Sequence, residues 1–492
     1  MTVRHLIAEQ VLLQEGLSAA HIEIRDDGTI RRIRTIDAGD THHQAAIVRA
    51  REVSAGSGIE LLGSRQVLLP GAVDTSVRLS EPGRSRWEGF TTGTMAAALG
   101  GVTTLIDAPS GSLPPTTGVA SLEAKRRAAA GKTYVDTGFF GGIVPGNTDE
   151  LEPLWEAGAL GFVAHLGGTG LPEFPRVSLI QLREAMQRVR RFGGLIAVHP
   201  EEEQSLSSAE RGTRRGSRRI RSYSDWAAAR PPAAELAGVH GIIDAVRETG
   251  CRTHVQEVTT VAAVEAIHGA QQEGLPLSAG TVAHYLCFAA EQIPDASAAS
   301  FTAYPPIRSA AEREGLWDGL QEGILSVVAS GHTPVTKDEK YRHRGDHLSG
   351  SRPGVSGLQV SFAAVASAAA DRGIGLAEVS RWTATTPARL LGLPKGKITS
   401  GHRADFLIFD PEQTHVVSAG GLAHKNPITA YERYEIHGTV VGAVVGGTVL
   451  FNAQDATSAL RSAGELIHNY GAPAQDSPKV HRRGHLRAVN AS

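Results

Sequence analysis

The chain has 492 residues, 41% hydrophobic and 20% charged, a globular composition that excludes a largely disordered polymer and supplies apolar surface for a large core. Its 49 Lys and Arg against 51 Asp and Glu leave a net charge of −2, which excludes a one-sign field drawing the whole molecule to nucleic acid or an anionic membrane. Two cysteines, Cys251 and Cys287, are too few for a disulfide framework or a thiolate zinc site, and no apolar run approaches the roughly 20 residues that cross a bilayer.

Residues 1–65 read as short β segments, HLIAEQVLL and AHIEIRDDGTIRRIRTID, with a turn at Asp27-Gly28. The start MTVRHLIAEQVLLQEG lacks a basic-then-apolar signal pattern, so a cytoplasmic location is expected. From QVLLPGAVDT onward, apolar strand-like runs alternate with helical patterns near Trp87–Leu99, Ser121–Ala130, Asp149–Ala157, Leu179–Phe192, Ala233–Glu248 and Val261–Glu273. The runs between them include VTTLIDAP, VDTGFFGGI, ALGFVAHL, GGLIAVHP, THVQEVTT, LPLSAGTVAHYL and ILSVVASGHTP. Such alternation predicts parallel βαβ units, and about eight strands predict a closed (βα)₈ TIM-type barrel over 66–395. Residues 396–455 turn β-rich again and are expected to join 1–65 in a small composite β-sandwich, leaving 456–492 as a C-terminal helix and basic tail. The run RGTRRGSRRIR over 211–221 has no interleaved aromatics, so it reads as a solvated loop and nucleic acid is not an expected partner.

In a barrel of this kind the chemistry sits just after the C-terminal end of each strand. The segments concerned are Asp74–Ser80, Val163–Thr169, His199–Glu203, Glu257–Thr260, His284–Leu286 and Ser330–Pro334. No G-x-S-x-G elbow supports Ser76 as a nucleophile, and no glycine-rich phosphate loop opens a helix.

The stretch LLPGAVDTSVRLSEPGRSRWEGFTTGTMAAALGGVTTLIDAP resembles the cyclic-amide branch of the amidohydrolase superfamily, allantoinases most, with dihydroorotases and dihydropyrimidinases next. Ordered matches continue through SYSDWAAARPPAAE, YPPIRS and ATTPARLLGLPKGKITSGHRADFLIFDP, and LAHKNPITAY tilts the resemblance to allantoinase. The resemblance implies the barrel with a composite sandwich, a homo-oligomer, and two divalent metals that activate a bridging water. It places the metal ligands at Ser76, Arg78, Val163, His199, Glu257 and Gly331. Only His199 is of the family's type, because valine and glycine offer no ligand atom and a guanidinium repels a cation. His165, two residues past Val163, could substitute only if its strand extends that far. No cofactor is therefore expected.

The leading expectation is a metal-free, non-hydrolysing homologue that binds a small molecule or acts in an assembly with a protein partner. The competing one is an enzyme acting on a cyclic amide, ureide or carboxylate-bearing C–N substrate by metal-independent or rebuilt-metal chemistry. Arg78, His199 and His332 would form an electropositive recess for a carboxylate or amide oxygen, with Glu257 and His332 as acid or base. Ser80, Glu173, His284 and Arg308 fall on substrate-side segments of the family. Against this stand plainer readings: Arg78 and Glu257 as a buried ion pair, Glu173 as a turn cap, and His284 and Tyr285 as core. Asp74 is expected to orient the loop after the first barrel strand.

Overall fold

In the computed structural model, residues 2–36, 59–214, 220–342, 348–453 and 460–471 are described. Strands β1 (His5–Leu13), β2 (Gly16–Ile24) and β3 (Ile30–Thr35) form an antiparallel meander, while β4 (Ile59–Leu61) and β5 (Val67–Pro70) run parallel to β1. The Asp27-Gly28 turn links β2 to β3. Gly28 has φ 77°, and a Cβ there would stand 2.7 Å from the Gly446 carbonyl, so both the backbone and the close approach require glycine.

Eight barrel positions follow in chain order. They are β6 (Ala72–Val77), β7 (Val102–Asp107), β8 (Asp136–Phe139) continued by β9 (Gly141–Gly142), β10 (Phe162–His165), β11 (Leu195–His199), β12 (Arg252–Val255), β13 (Leu277–Val282) and β14 (Val327–Ala329). Every pairing among them is parallel, as βαβ units demand. The ring closes where Val77 bridges His332 and the Asp74 carboxylate accepts the Ser330 backbone N–H at 3.2 Å, joining the first barrel strand to the end of the last. Inward residues Val73, Ile106, Phe140, Val163 and Ala197 pack with Ala388, Leu391 and Leu393 into one apolar plug.

Helices stand where the apolar periodicity predicts them, at Val119–Ala129, Leu179–Arg190, Pro232–Thr249 and Val261–Gln272. Ser178 and Gln181 form a reciprocal capping box that starts the second of these. The helix expected from Trp87 begins later, at Phe90, whose N–H is capped by the Glu81 carboxylate at 2.9 Å. Residues 80–88 are thereby released as a loop that carries Trp87 to the barrel mouth.

After the barrel, β15 (Phe406–Val416), β16 (Glu435–Val445) and β17 (Thr448–Asn452) join antiparallel, and β15 also pairs with β5. Both ends of the chain therefore share one eight-stranded sheet, with its own core around Leu6, Ile22, Leu68, Phe406 and Val444. A buried Lys395 joins this unit to the barrel through Asp136, at 2.6 Å, and Asp405.

The C-terminal helix expected within 456–492 does not form over 460–471. That segment lies extended along β8, with the Thr137 N–H donating to the Glu465 carbonyl at 2.8 Å and Ile467 N–H to Thr137 at 3.0 Å, so a neighbouring strand satisfies its backbone. The centre of the basic run, 215–219, and residues 472–492 lie outside the described residues. Among those described, no helix is long and apolar enough to cross a membrane.

Candidate active site

The C-terminal ends of the barrel strands surround a pocket lined by Arg78, Ser80, Trp87, His165, His199, Arg230, Glu257, His284, Tyr285, Tyr304, Gly331 and Arg352, among others. Parallel register places His165 of β10 beside His199 of β11. β10 extends through His165, so strand alternation puts His165 on the same face as Val163, one step nearer the mouth. The two imidazoles stack with centroids 4.8 Å apart and planes 21° from parallel.

Glu257 follows β12 in a left-handed conformation, φ 56°, which is strained for a glutamate and turns its side chain into the pocket. Its Oε1 accepts the Ser76 hydroxyl at 2.8 Å and its Oε2 lies 3.3 Å from His199 Nε2. That same Nε2 reaches the Tyr304 carbonyl at 2.8 Å. Burial would raise the Glu257 carboxyl, but the hydrogen bond and charge of His199, the charge of Arg78 and the Ser76 hydroxyl outweigh it and bring it to about 2. Burial likewise opposes charge on His199, yet the Glu257 hydrogen bond and charge hold that imidazole above its ordinary value. His165 moves the other way, well below its usual value, through burial and the nearby charges of His199 and Arg78. The two rings of the stack are thus pushed in opposite directions, His199 toward its charged form and His165 toward its neutral one.

Arg78 does not form the expected ion pair with Glu257. Its backbone N–H donates to the His332 carbonyl at 2.9 Å, and the side chain faces the pocket. Glu257 and Asp107 act on its charge from beyond ion-pair distance, and burial pulls its pKa down. Asp107 is already paired with the buried Lys125 at 2.7 Å. Asp74 does tie the loop, accepting the N–H groups of Ser76 at 3.1 Å and Ser330 at 3.2 Å.

Other expectations separate. Ser80 lines the pocket with φ 60°, and His284 lines it with neither ring nitrogen hydrogen-bonded and burial pushing it down to about 4. Tyr285 also lines it, but its hydroxyl is spent on the Pro305 carbonyl at 2.6 Å. His332 is not at the pocket. Its ring is fully buried behind the wall, accepting from Gly357 N–H at 3.3 Å and facing Glu88 at 3.6 Å, because the left-handed Gly331 before it turns the side chain outward. Glu173 pairs with Arg84 on the rim instead of lining the pocket. Arg308 lies behind it, donating to Thr259 at 3.2 Å and to the Arg230 carbonyl at 2.6 Å.

Among the lining residues that sequence reasoning missed are Arg230, Tyr304, Arg352 and Trp87. Arg230 is held by Glu201 at 2.6 Å and sits 3.6 Å from the Tyr304 ring centroid, while Arg352 stands 5.0 Å over Trp87. Arg230 and Trp87 lie inside family-like stretches that could have flagged them, and Tyr304 directly precedes PPIR. Arg352 carries no such signal, since its loop reaches the mouth only through tertiary packing.

Two stacked imidazoles shifted in opposite directions, a guanidinium without an ion-pair partner and a carboxylate at the C-terminal mouth of a β/α barrel define an enzyme-type site. The chain belongs to the amidohydrolase family, whose model matches residues 67–450. Within that family it is an allantoinase-like cyclic amidohydrolase. It is similar to the allantoinase of Streptomyces avermitilis, 41% identical over 397 residues covering 80% of this chain and 86% of that protein. It is also similar to the allantoinase of Arabidopsis thaliana, 31% identical over 93% of this chain and 90% of that one. Among solved structures, the L-hydantoinase (dihydropyrimidinase) from Arthrobacter aurescens superposes with a TM-score of 0.84 at 25% identity, covering 95% of this chain and 100% of that one.

These similarities overturn the expectation of a non-hydrolysing homologue, because relatives that are allantoinases match most of the chain. They also overturn the expectation that no cofactor is involved, since the allantoinases and hydantoinases of this family are metal-dependent. The residues present nevertheless do not fit the family's two-metal centre. Val163 is packed in the apolar plug, Gly331 has no side chain and Arg78 is a cation. Among the described residues no group of three or more His, Cys, Asp or Glu could hold a metal ion.

Proposed function

We propose that this chain is a hydrolase that opens a cyclic amide or ureide ring, the reaction class of its allantoinase and hydantoinase relatives, with an altered set of catalytic side chains. The observation that carries the reading is the stacked His165–His199 pair, whose surroundings shift the two rings in opposite directions, in the pocket that Arg78 also lines. Two titratable groups whose environments push them apart are an acid and a base.

The ring carbonyl oxygen docks toward His199, whose N–H donor stabilises the oxyanion that develops as water adds to the carbonyl carbon. The water proton passes to neutral His165. The C–N bond then breaks, and the leaving nitrogen takes a proton from His199; transfer of the proton from His165 restores the starting state. Glu257 positions His199 and keeps it charged, with Ser76 holding the carboxylate from its other side. Trp87 and Tyr304 add apolar ring surface to the same pocket.

Ring opening of allantoin, hydantoin, dihydrouracil and dihydroorotate by the purified full chain, with and without added zinc or manganese, tests this. Turnover of at least one is expected, falling about a hundredfold or more in His199→Ala. No ring opening under either condition would overturn the reading.

A further inference from the structure

Among the described residues, every charged group at the pocket except one has an opposite charge in contact with it. Arg230 is held by Glu201 at 2.6 Å, Arg352 by Glu339, and His199 lies 3.3 Å from Glu257. Asp107, the other anion near Arg78, is taken by Lys125 at 2.7 Å. Among the described residues, Arg78 alone lines the pocket without a hydrogen bond or ion pair to its guanidinium. A cation left that way in a recess carries a desolvation cost that an incoming anion removes.

From this charge balance, and resting on the hydrolase reading above, we infer that the substrate carries one carboxylate, which docks on Arg78. The five donors of a guanidinium form a planar fork that matches a carboxylate with two parallel hydrogen bonds. One uncompensated positive charge selects a monoanion over a neutral ring or a dianion. The ring amide then lies against the His165–His199 stack. Arg78 stands on the loop after β6, whose backbone is tied across the barrel closure at His332, so the point from which its side chain enters the pocket is fixed before ligand arrives. The inference narrows the substrate class from cyclic amides in general to those bearing an acidic substituent.

Orotate and uracil differ only by one carboxylate and lack the saturated ring that the proposed reaction opens, so their binding is read apart from turnover. Calorimetric titration of the full chain is expected to show orotate bound at least about tenfold more tightly than uracil, the worth of one charge-assisted contact. In Arg78→Met that ratio falls to about one, while Arg78→Lys keeps part of it. Because Arg78 has no protein partner to orphan, both variants are expected to melt near the parent. Equal affinity for the two probes, a preference unchanged in Arg78→Met, or no orotate binding at millimolar concentration would overturn the anion site. A negative ring-opening panel with the orotate preference intact would remove the hydrolase reading alone, and turnover of neutral rings with no preference would remove the anion site alone.

Discussion

Glu257 and His199 hold each other in the charged state, and the sign of each shift sets the pH window of the pair. Glu257 is depressed to about 2 from 4.5, so its contribution is complete above about 4.5 and lost as pH falls toward 2. His199 is raised above 6.5, so its contribution is complete below that value and lost as pH rises through its raised pKa. Ring opening that needs His199 as acid is expected to fall on the alkaline side, after a plateau through mildly acidic pH. Glu257→Gln should move that alkaline limb, and the His199 imidazole titration seen by NMR, to lower pH. It should also cost about 3–5 kcal/mol of stability by breaking a buried pair. An unmoved imidazole midpoint in Glu257→Gln would show that the pair does not set the charge of His199.

The loop after β14 shows how an element constrains which residues can serve the site. Gly331 has φ 65°, and a Cβ at this position would lie 2.8 Å from His284 Cε1 and 3.0 Å from Val282 Cβ. Gly331→Asp is therefore expected to destabilise the chain by about 1–3 kcal/mol, and Gly331→Ala should carry most of that cost. Thermal melts of both variants check it. An aspartate variant that melts like the parent would mean that the loop relaxes, and that the left-handed turn does not hold His332 out of the pocket. The same logic applies on β10, elsewhere in the barrel, where Val163 is committed to the apolar plug while His165, two residues further along, faces the mouth.

At the scale of the whole molecule, the segment between β15 and β16 reaches from the composite sheet to the barrel mouth. Asn426 Nδ2 donates to the Trp87 carbonyl at 2.7 Å and the Arg86 carbonyl at 3.1 Å, Lys425 N–H to Glu88 at 3.0 Å, and Lys425 Nζ to the Ser85 carbonyl at 2.7 Å. This contact sets the position of the loop that brings Trp87 over the pocket. Asn426→Ala is expected to raise KM by up to about tenfold with little change in kcat, since it loosens the wall without touching the imidazole pair. A lowered melting temperature with KM and kcat both unchanged would reduce Asn426 to a structural tie.

Apolar periodicity alone determined the alternation of strands and helices, and with it the closed barrel and the β-rich ends, because each period reports which face of an element must be buried. The residues after the strand ends could likewise be read as pocket candidates, and Arg78, Ser80, His199, Glu257 and His284 do line the pocket. What only the tertiary structure decided is which way those loops turn and which charges meet. The left-handed backbone at Gly331 and Glu257 sends His332 behind the wall and Glu257 onto His199, and local sequence does not encode such a choice. Arg78 is left without a partner because Ser76, His199 and Lys125, from separate parts of the chain, satisfy the carboxylates around it. The C-terminal segment is extended for the same reason, since its backbone is paired with β8 and not with itself. A charge pairs with what the fold brings within a few ångströms, and sequence spacing carries no such distance.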